Sequence, residues 1–84
     1  MKIKLFTKTT CPNCPRAKEL CKQLENEIKI EYYDVEDVEG MAESAFYNIM
    51  STPTIVIVDE KDEEIKSFRG VSPEKSEILS FFSK

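Results

Sequence analysis

Apolar and polar positions along this chain switch repeatedly between a period of two and a period near 3.6. Ile3-Lys4-Leu5-Phe6 is a short apolar-rich run closed by the polar stretch Thr7-Lys8-Thr9-Thr10, and it reads as a first strand. The spacing then lengthens: Cys14, Ala17, Cys21, Leu24 and Ile28 recur at three, four, three and four. At about 100° per residue they cover an arc of roughly 80°, while Arg16, Glu19, Gln23, Asn26 and Glu27 fall outside it. This predicts an amphipathic helix from Pro12 to about Glu27. Pro12 suits the first helical position, where its missing N–H would be unpaired anyway, and Pro15 still lies in the first turn. The two prolines leave Asn13 and Cys14 as the N–H donors of that stretch, both next to Cys11.

The rest of the chain divides in the same way. Ile28 to Val35, with Ile30, Tyr32, Tyr33 and Val35, predicts a second strand. A second helix is expected behind Asp34 or Asp37 as cap, with Val38, Ala42, Ala45, Phe46 and Ile49 as its apolar face, ending before Pro53. Thr54 to Val58 is almost continuously β-branched and reads as a central strand covered on both faces. Asp59 to Glu63 is a polar turn, and Glu64 to Arg69 the hairpin partner of the third strand. Ser72-Pro73-Glu74 predicts a cap followed by proline at the first position of a last helix, which buries Ile78, Leu79, Phe81 and Phe82. The order is β-α-β-α-β-β-α. A parallel first crossover and a final antiparallel hairpin make a four-stranded mixed sheet with helices on both faces, an α/β fold. Eighty-four residues suffice for one such domain, 1–84, and not for two cores.

The candidate chemistry lies where the first strand meets the first helix, at Cys11-Pro12-Asn13-Cys14. Two thiols two residues apart can close into a disulfide and reopen without rearranging the fold. A helix N-terminus offers unpaired N–H groups and a positive dipole end, both of which favour a thiolate. Cys-x-x-Cys beside a βαβ pattern reads as a dithiol redox site. The helix phase separates the two roles: Cys14 begins the buried stripe, whereas Cys11 sits ahead of it, open to solvent. Cys21 belongs to the stripe and reads as core. A Cys14–Cys21 disulfide would have to span about 10.5 Å of helical rise, beyond the ~7 Å Cα–Cα reach of a disulfide.

Composition narrows the alternatives. Histidine is absent, which excludes a Cys-His protease dyad and weakens a transition-metal reading. Three cysteines are too few, and odd in number, for a secreted disulfide scaffold. No apolar run approaches the ~20 residues of a membrane span, and the start of the chain lacks the h-region and cleavage site of a signal peptide. A reducing cytoplasm is expected. The net charge of −4, concentrated at Glu31 to Glu43 and Asp59 to Glu64, fits a solvated surface with a bias towards basic partners. No lysine or arginine stripe suggests nucleic acid.

With Cys-Pro-x-Cys at the first strand-to-helix junction, this order resembles the thioredoxin superfamily in its minimal, glutaredoxin-like form. Ser51-Thr52-Pro53-Thr54 is similar to the family's cis-proline loop, and Arg69-Gly70 matches its glycine after the fourth strand. The resemblance implies that Pro53 follows a cis bond beside the dithiol and that the Thr52 backbone pairs with substrate. Lys8 and Thr9-Thr10-Cys11-Pro12 look like glutaredoxins. Asn13, however, stands where those proteins usually carry tyrosine or phenylalanine. Arg69-Gly70-Val71-Ser72-Pro73-Glu74 also lacks their paired glycine and acidic cap for glutathione. Tryptophan and the buried strand aspartate of thioredoxins are missing too, with Leu5 or Phe6 in that strand. The chain therefore resembles the small glutaredoxin-like proteins, frequent in archaea and anaerobic bacteria, that act as thioredoxins.

That resemblance implies thiol–disulfide exchange on disulfide-containing proteins. Cys11 attacks, Cys14 resolves, and Asn13 and Lys8 are candidate thiolate stabilisers. A disulfide reductase serves as electron donor, no cofactor is required, and a monomer is expected. Two alternatives stand beside this reading. One is a glutathione-dependent glutaredoxin. The other is a metal- or iron–sulfur-binding module, which lacks the second ligand pair that a structural zinc site needs.

Overall fold

A computed structural model describes residues 1–82. The elements follow the expected order: β1 (Lys2–Thr7), α1 (Cys14–Leu24), β2 (Ile30–Asp34), α2 (Val38–Phe46), β3 (Thr54–Val58), β4 (Glu64–Arg69) and α3 (Lys75–Leu79). The sheet runs β2-β1-β3-β4. β1 pairs in parallel with β2, Leu5 opposite Tyr32, and antiparallel with β3, Leu5 opposite Ile55. β3 and β4 form the antiparallel hairpin, with an irregularity between Ile57 and Val58.

Side-chain alternation sorts the core into two layers. Ile3, Leu5, Ile55 and Ile57 face Ala17, Cys21 and Leu24 of α1 and Ile78 of α3. On the other side Phe6, Val56 and Val58 pack with Tyr47, Tyr33, Val35 and Ile49. All five β3 residues are buried, as their β-branched run implies. The α1 stripe of Cys14, Ala17, Cys21, Leu24 and Ile28 is also buried throughout.

Several boundaries shift for identifiable reasons. α1 starts at Cys14 rather than Pro12, because residues 12–13 form a turn in which the Cys14 N–H reaches the Cys11 carbonyl at 3.4 Å. β2 starts at Ile30 rather than Ile28, since the Ile28 N–H still donates to Leu24 O at 2.9 Å and belongs to the last turn of α1. α3 is capped at Glu74, not Ser72. The Glu77 carboxylate reaches back to the Glu74 N–H at 3.0 Å, a contact that Ser72 and Pro73 cannot offer from their places ahead of the helix.

The orientation of α2 is the substantive correction. The expected apolar face, Val38, Ala42, Ala45 and Phe46, is exposed, with Val38 at 82% and Phe46 at 71%, and Ile49 lies beyond the helix end, half-buried. The side turned inward carries Gly40, Glu43 and Ser44, followed by Tyr47 at the cap. Lys4 explains the rotation. It sits 4% exposed on the sheet face beneath α2. Its ammonium meets the Glu43 carboxylate at 2.6 Å and lies 5.1 Å from the Tyr47 ring centroid. Glu31 of β2 stands 3.8 Å away, beyond hydrogen-bond reach and itself bonded to Lys2, so without Glu43 the buried ammonium would lack a hydrogen-bonded counter-charge, at a cost of several kcal/mol, roughly the worth of burying two aliphatic side chains. The helix therefore turns its carboxylate, not its apolar stripe, towards the sheet. Burial draws the Lys4 pKa down, but hydrogen bonding and charge from Glu43 and Tyr47 outweigh it and hold the group protonated well above its usual range.

Gly40 permits this approach. A Cβ built there would overlap the Asp34 carbonyl at the end of β2. In an exposed helix Gly→Ala stabilises by about 1 kcal/mol. Gly40→Ala is instead expected to destabilise by about 1–3 kcal/mol through forced displacement of the helix, read as a lowered urea midpoint. Around the same network, burial raises the Glu31 pKa, but its hydrogen bonds from Lys2 at 3.0 Å and Tyr33 at 2.9 Å, with the charges of Lys2 and Lys4, together outweigh this and the net shift is downward. A carboxyl with a lowered folded pKa adds stability that is present above its unfolded value of about 4.3 and lost as pH falls through the folded one. The urea midpoint is expected to drop below about pH 4, and Glu31→Gln to flatten that part of the profile.

Candidate redox site

The site is assembled from three loops. The first links β1 to α1. Its polar residues Lys8, Thr9 and Thr10 are exposed, and the Cys11 N–H donates to the Lys8 carbonyl at 3.2 Å. Cys11 and Cys14 lie at disulfide distance with Cα atoms 5.4 Å apart, within the reach of an unforced bridge. Their environments differ as the helix phase implies: Cys14, the first residue of α1, is 2% exposed, and Cys11 is only half-buried. Asn13 is exposed and caps no backbone group with its side chain.

The second loop joins α2 to β3. The Thr52–Pro53 peptide is cis, as the resemblance implied, with Pro53 buried and Thr52 half-buried. Thr52 shares a depression of about 180 Å³ with Lys8, Val35, Ile49, Met50 and Ser51. This depression connects the proline loop to the segment that holds Cys11. Thr54 Oγ1 donates to Ser51 O at 2.8 Å and closes the loop on itself. The third loop follows β4. Gly70 adopts φ +73, the left-handed region that its missing Cβ tolerates, and its N–H donates to Pro53 O at 2.8 Å. The arrangement thus sets Lys8 beside Thr52 across the depression, with Lys8 meeting Cys11 through its carbonyl and Pro53 meeting Gly70 through its own.

Three contributors went unrecognised in the sequence. Arg69 donates to Asn48 O at 3.0 Å and Tyr47 O at 3.1 Å, which ties the end of β4 to the chain entering the proline loop. Lys4 and Gly40 set the position of α2 and hence of the same entry. The available signals were a lone lysine inside an apolar strand and a glycine inside a helix. Neither names its partner.

Cys21 is fully buried and free. Burial, reinforced by the nearby Glu25 charge, pushes its thiol pKa up to about 12. Among the described residues no group of three or more His, Cys, Asp or Glu is placed to hold a metal ion, and no helix is long and apolar enough to cross a membrane.

Comparison with known proteins gives a consistent result. A family model described as a thioredoxin domain matches residues 1–83. A thioredoxin from Methanocaldococcus jannaschii is 41% identical over 61 residues, 68% of this chain and 69% of that protein. Thioredoxin 1 of Thermosipho africanus superposes with a TM-score of 0.67 at 28% identity, covering 98% of this chain and 90% of that one. A thioredoxin-like protein from Clostridium perfringens reaches 0.77 at 21% identity, covering 95% of this chain and 66% of its own, a likeness of fold alone.

In the reduced protein at pH 8, Cys11 is expected to alkylate first and Cys14 more slowly. Cys21 is expected to resist until denaturant is added, because a thiol titrating near 12 is ionised on the order of one part in ten thousand there. Peptide mass spectrometry of timed iodoacetamide quenches reads the order directly.

Proposed function

We propose that this chain, which belongs to the thioredoxin family, reduces disulfides of protein substrates through Cys11 and Cys14. The observation that carries the reading is the pair at disulfide distance at the head of α1, with Cys11 half-buried and Cys14 buried. The Cys11 thiolate attacks one sulfur of the substrate disulfide. A mixed disulfide forms, and the first substrate sulfur leaves as a thiolate that takes up a proton. Cys14, losing its proton, then attacks the Cys11 sulfur, and the second substrate thiolate leaves. The substrate gains two electrons, and the pair ends as a disulfide. A disulfide reductase returns the two electrons.

Thiolate formation at Cys11 is favoured by the dipole of α1 and the Asn13 N–H, with the Lys8 charge as a further candidate. The half-buried Thr52 backbone ahead of the cis bond serves to pair with the extended substrate chain, with Pro53 fixing its direction. Several features support thioredoxin-type rather than glutathione-type turnover. Asn13 presents no aromatic ring, Val71 is exposed, and Ser72 and Pro73 carry neither a second glycine nor an acid. Each charged end of glutathione left without a partner would lose about 1–3 kcal/mol. A cytoplasmic setting and a monomeric state complete the proposal.

Insulin reduction is the test, run in parallel with a thioredoxin reductase and with glutathione plus glutathione reductase. Turnover is expected with the first, and at least about tenfold less with the second. Cys11→Ser is expected to abolish it, and Cys14→Ser to accumulate mixed disulfides visible by mass spectrometry. Efficient turnover with glutathione alone would instead place the chain among the glutaredoxins.

A further inference from the structure

The outer face of α2 is apolar and unpartnered. Val38, Met41, Ala42, Ala45 and Phe46 recur at helical spacing and are all exposed, and Met50 beyond the helix is 92% exposed. Single exposed apolar side chains are ordinary, but a contiguous stripe marks an interaction surface. The stripe does not end in open surface. Met50, four residues beyond Phe46, lines a depression with Thr52 and Lys8, and the Lys8 carbonyl accepts from the Cys11 N–H.

Charge identifies the occupant. From Ile30 to Glu60 the chain contains no lysine or arginine. Glu36, Asp37 and Glu39 stand exposed at the start of α2. At the far end Phe46 lines a depression with Lys61, Asp62, Glu63 and Glu64, where Asp62 is paired with Lys2 and Arg69 is engaged by Glu64 and by the carbonyls of Tyr47 and Asn48, so the acidic excess there rests on Glu63. Lysines stand at the two extremities, Lys8 and Lys61. Beneath the helix, Lys4 is neutralised by Glu43. A second copy of this chain would bring the same acidic rim against itself, and like charges across an interface disfavour it.

We propose that this face docks disulfide-bearing protein substrates whose surface beside the disulfide is apolar and rimmed by lysine and arginine. The inference rests on the redox reading above and names its substrate class. Apolar contact along α2 holds the partner while its disulfide reaches Cys11 past Met50 and Thr52, and the acidic rim selects its charge.

The test uses two synthetic amphipathic peptides, each with the same apolar stripe and an internal disulfide, one rimmed by lysine and the other by glutamate. The pre-reduced chain is mixed with each in a single turnover, and oxidation of Cys11 and Cys14 is followed by acid quench and mass spectrometry. At about 20 mM ionic strength the lysine-rimmed peptide is expected to react at least about tenfold faster, and the gap to narrow at about 300 mM as charge is screened. Val38→Lys, at a fully solvated position, is expected to slow the lysine-rimmed peptide about tenfold and to leave reduction of 2-hydroxyethyl disulfide unchanged. Phe46→Lys is expected to act likewise. Equal rates for the two peptides, or a neutral Val38→Lys, would overturn the proposal. So would sedimentation of the parent chain as a dimer that Val38→Lys dissociates. Failure to reduce 2-hydroxyethyl disulfide would refute the redox reading separately. Docking is then read by fluorescence anisotropy of a labelled, cysteine-free lysine-rimmed peptide, where loss of affinity in Val38→Lys supports the face and an unchanged affinity refutes it.

Discussion

The ion pair between Lys4 and Glu43 governs more of this structure than any other contact outside the apolar core. A lysine in the middle of a buried sheet face imposes one requirement on whatever covers it, a carboxylate within reach. α2 meets that requirement and is rotated by it. The consequences run outward in sequence. Gly40 comes against the end of β2, Tyr47 turns in beneath the helix, and its hydroxyl donates to Asp62 O at 2.6 Å. Arg69 then holds the Tyr47 and Asn48 carbonyls, and the chain leaves towards Ser51-Thr52-Pro53 from a fixed point. The proline loop is therefore entered from a point fixed by a charge on the opposite side of the sheet from α1.

The two faces of the sheet divide the labour. On the α1 side the interior is apolar, and Cys14 is buried at the head of the helix that covers it. A half-buried cysteine and a buried one are thus one turn apart. Their separation follows from the start of a helix. On the α2 side the interior is partly ionic, and the apolar residues that would have filled it face out. The same constraint that orients the helix leaves its hydrophobic face exposed.

Much of this was legible in the chain. The β-α-β-α-β-β-α order, the buried α1 stripe from Cys14 to Ile28, the fully covered β3 and the asymmetry between Cys11 and Cys14 all follow from periodicity and from proline at a helix start. Those signals are local: they depend on residues a few positions apart, and a strand or helix expresses them wherever it packs. The proline loop was legible through resemblance, because its residues are few and their spacing from the cysteines is set by the fold.

The direction of α2 was a different kind of question. Its sequence carries two rival faces, an apolar one through Val38, Ala42 and Phe46 and a polar one through Gly40 and Glu43. Periodicity ranks the apolar face first. The choice between them depends on Lys4, thirty-nine residues from Glu43, and on the Asp34 carbonyl that meets Gly40. Similarly, nothing near Arg69 in sequence announces its hold on Tyr47 and Asn48. By itself the sequence determined which segments become strands and helices and where the reactive thiols lie, because local spacing and backbone chemistry decide those. Only the tertiary structure decided which face of α2 is buried. The cost of an uncompensated charge is set by what lies across the interface, and the chain order does not disclose that neighbour.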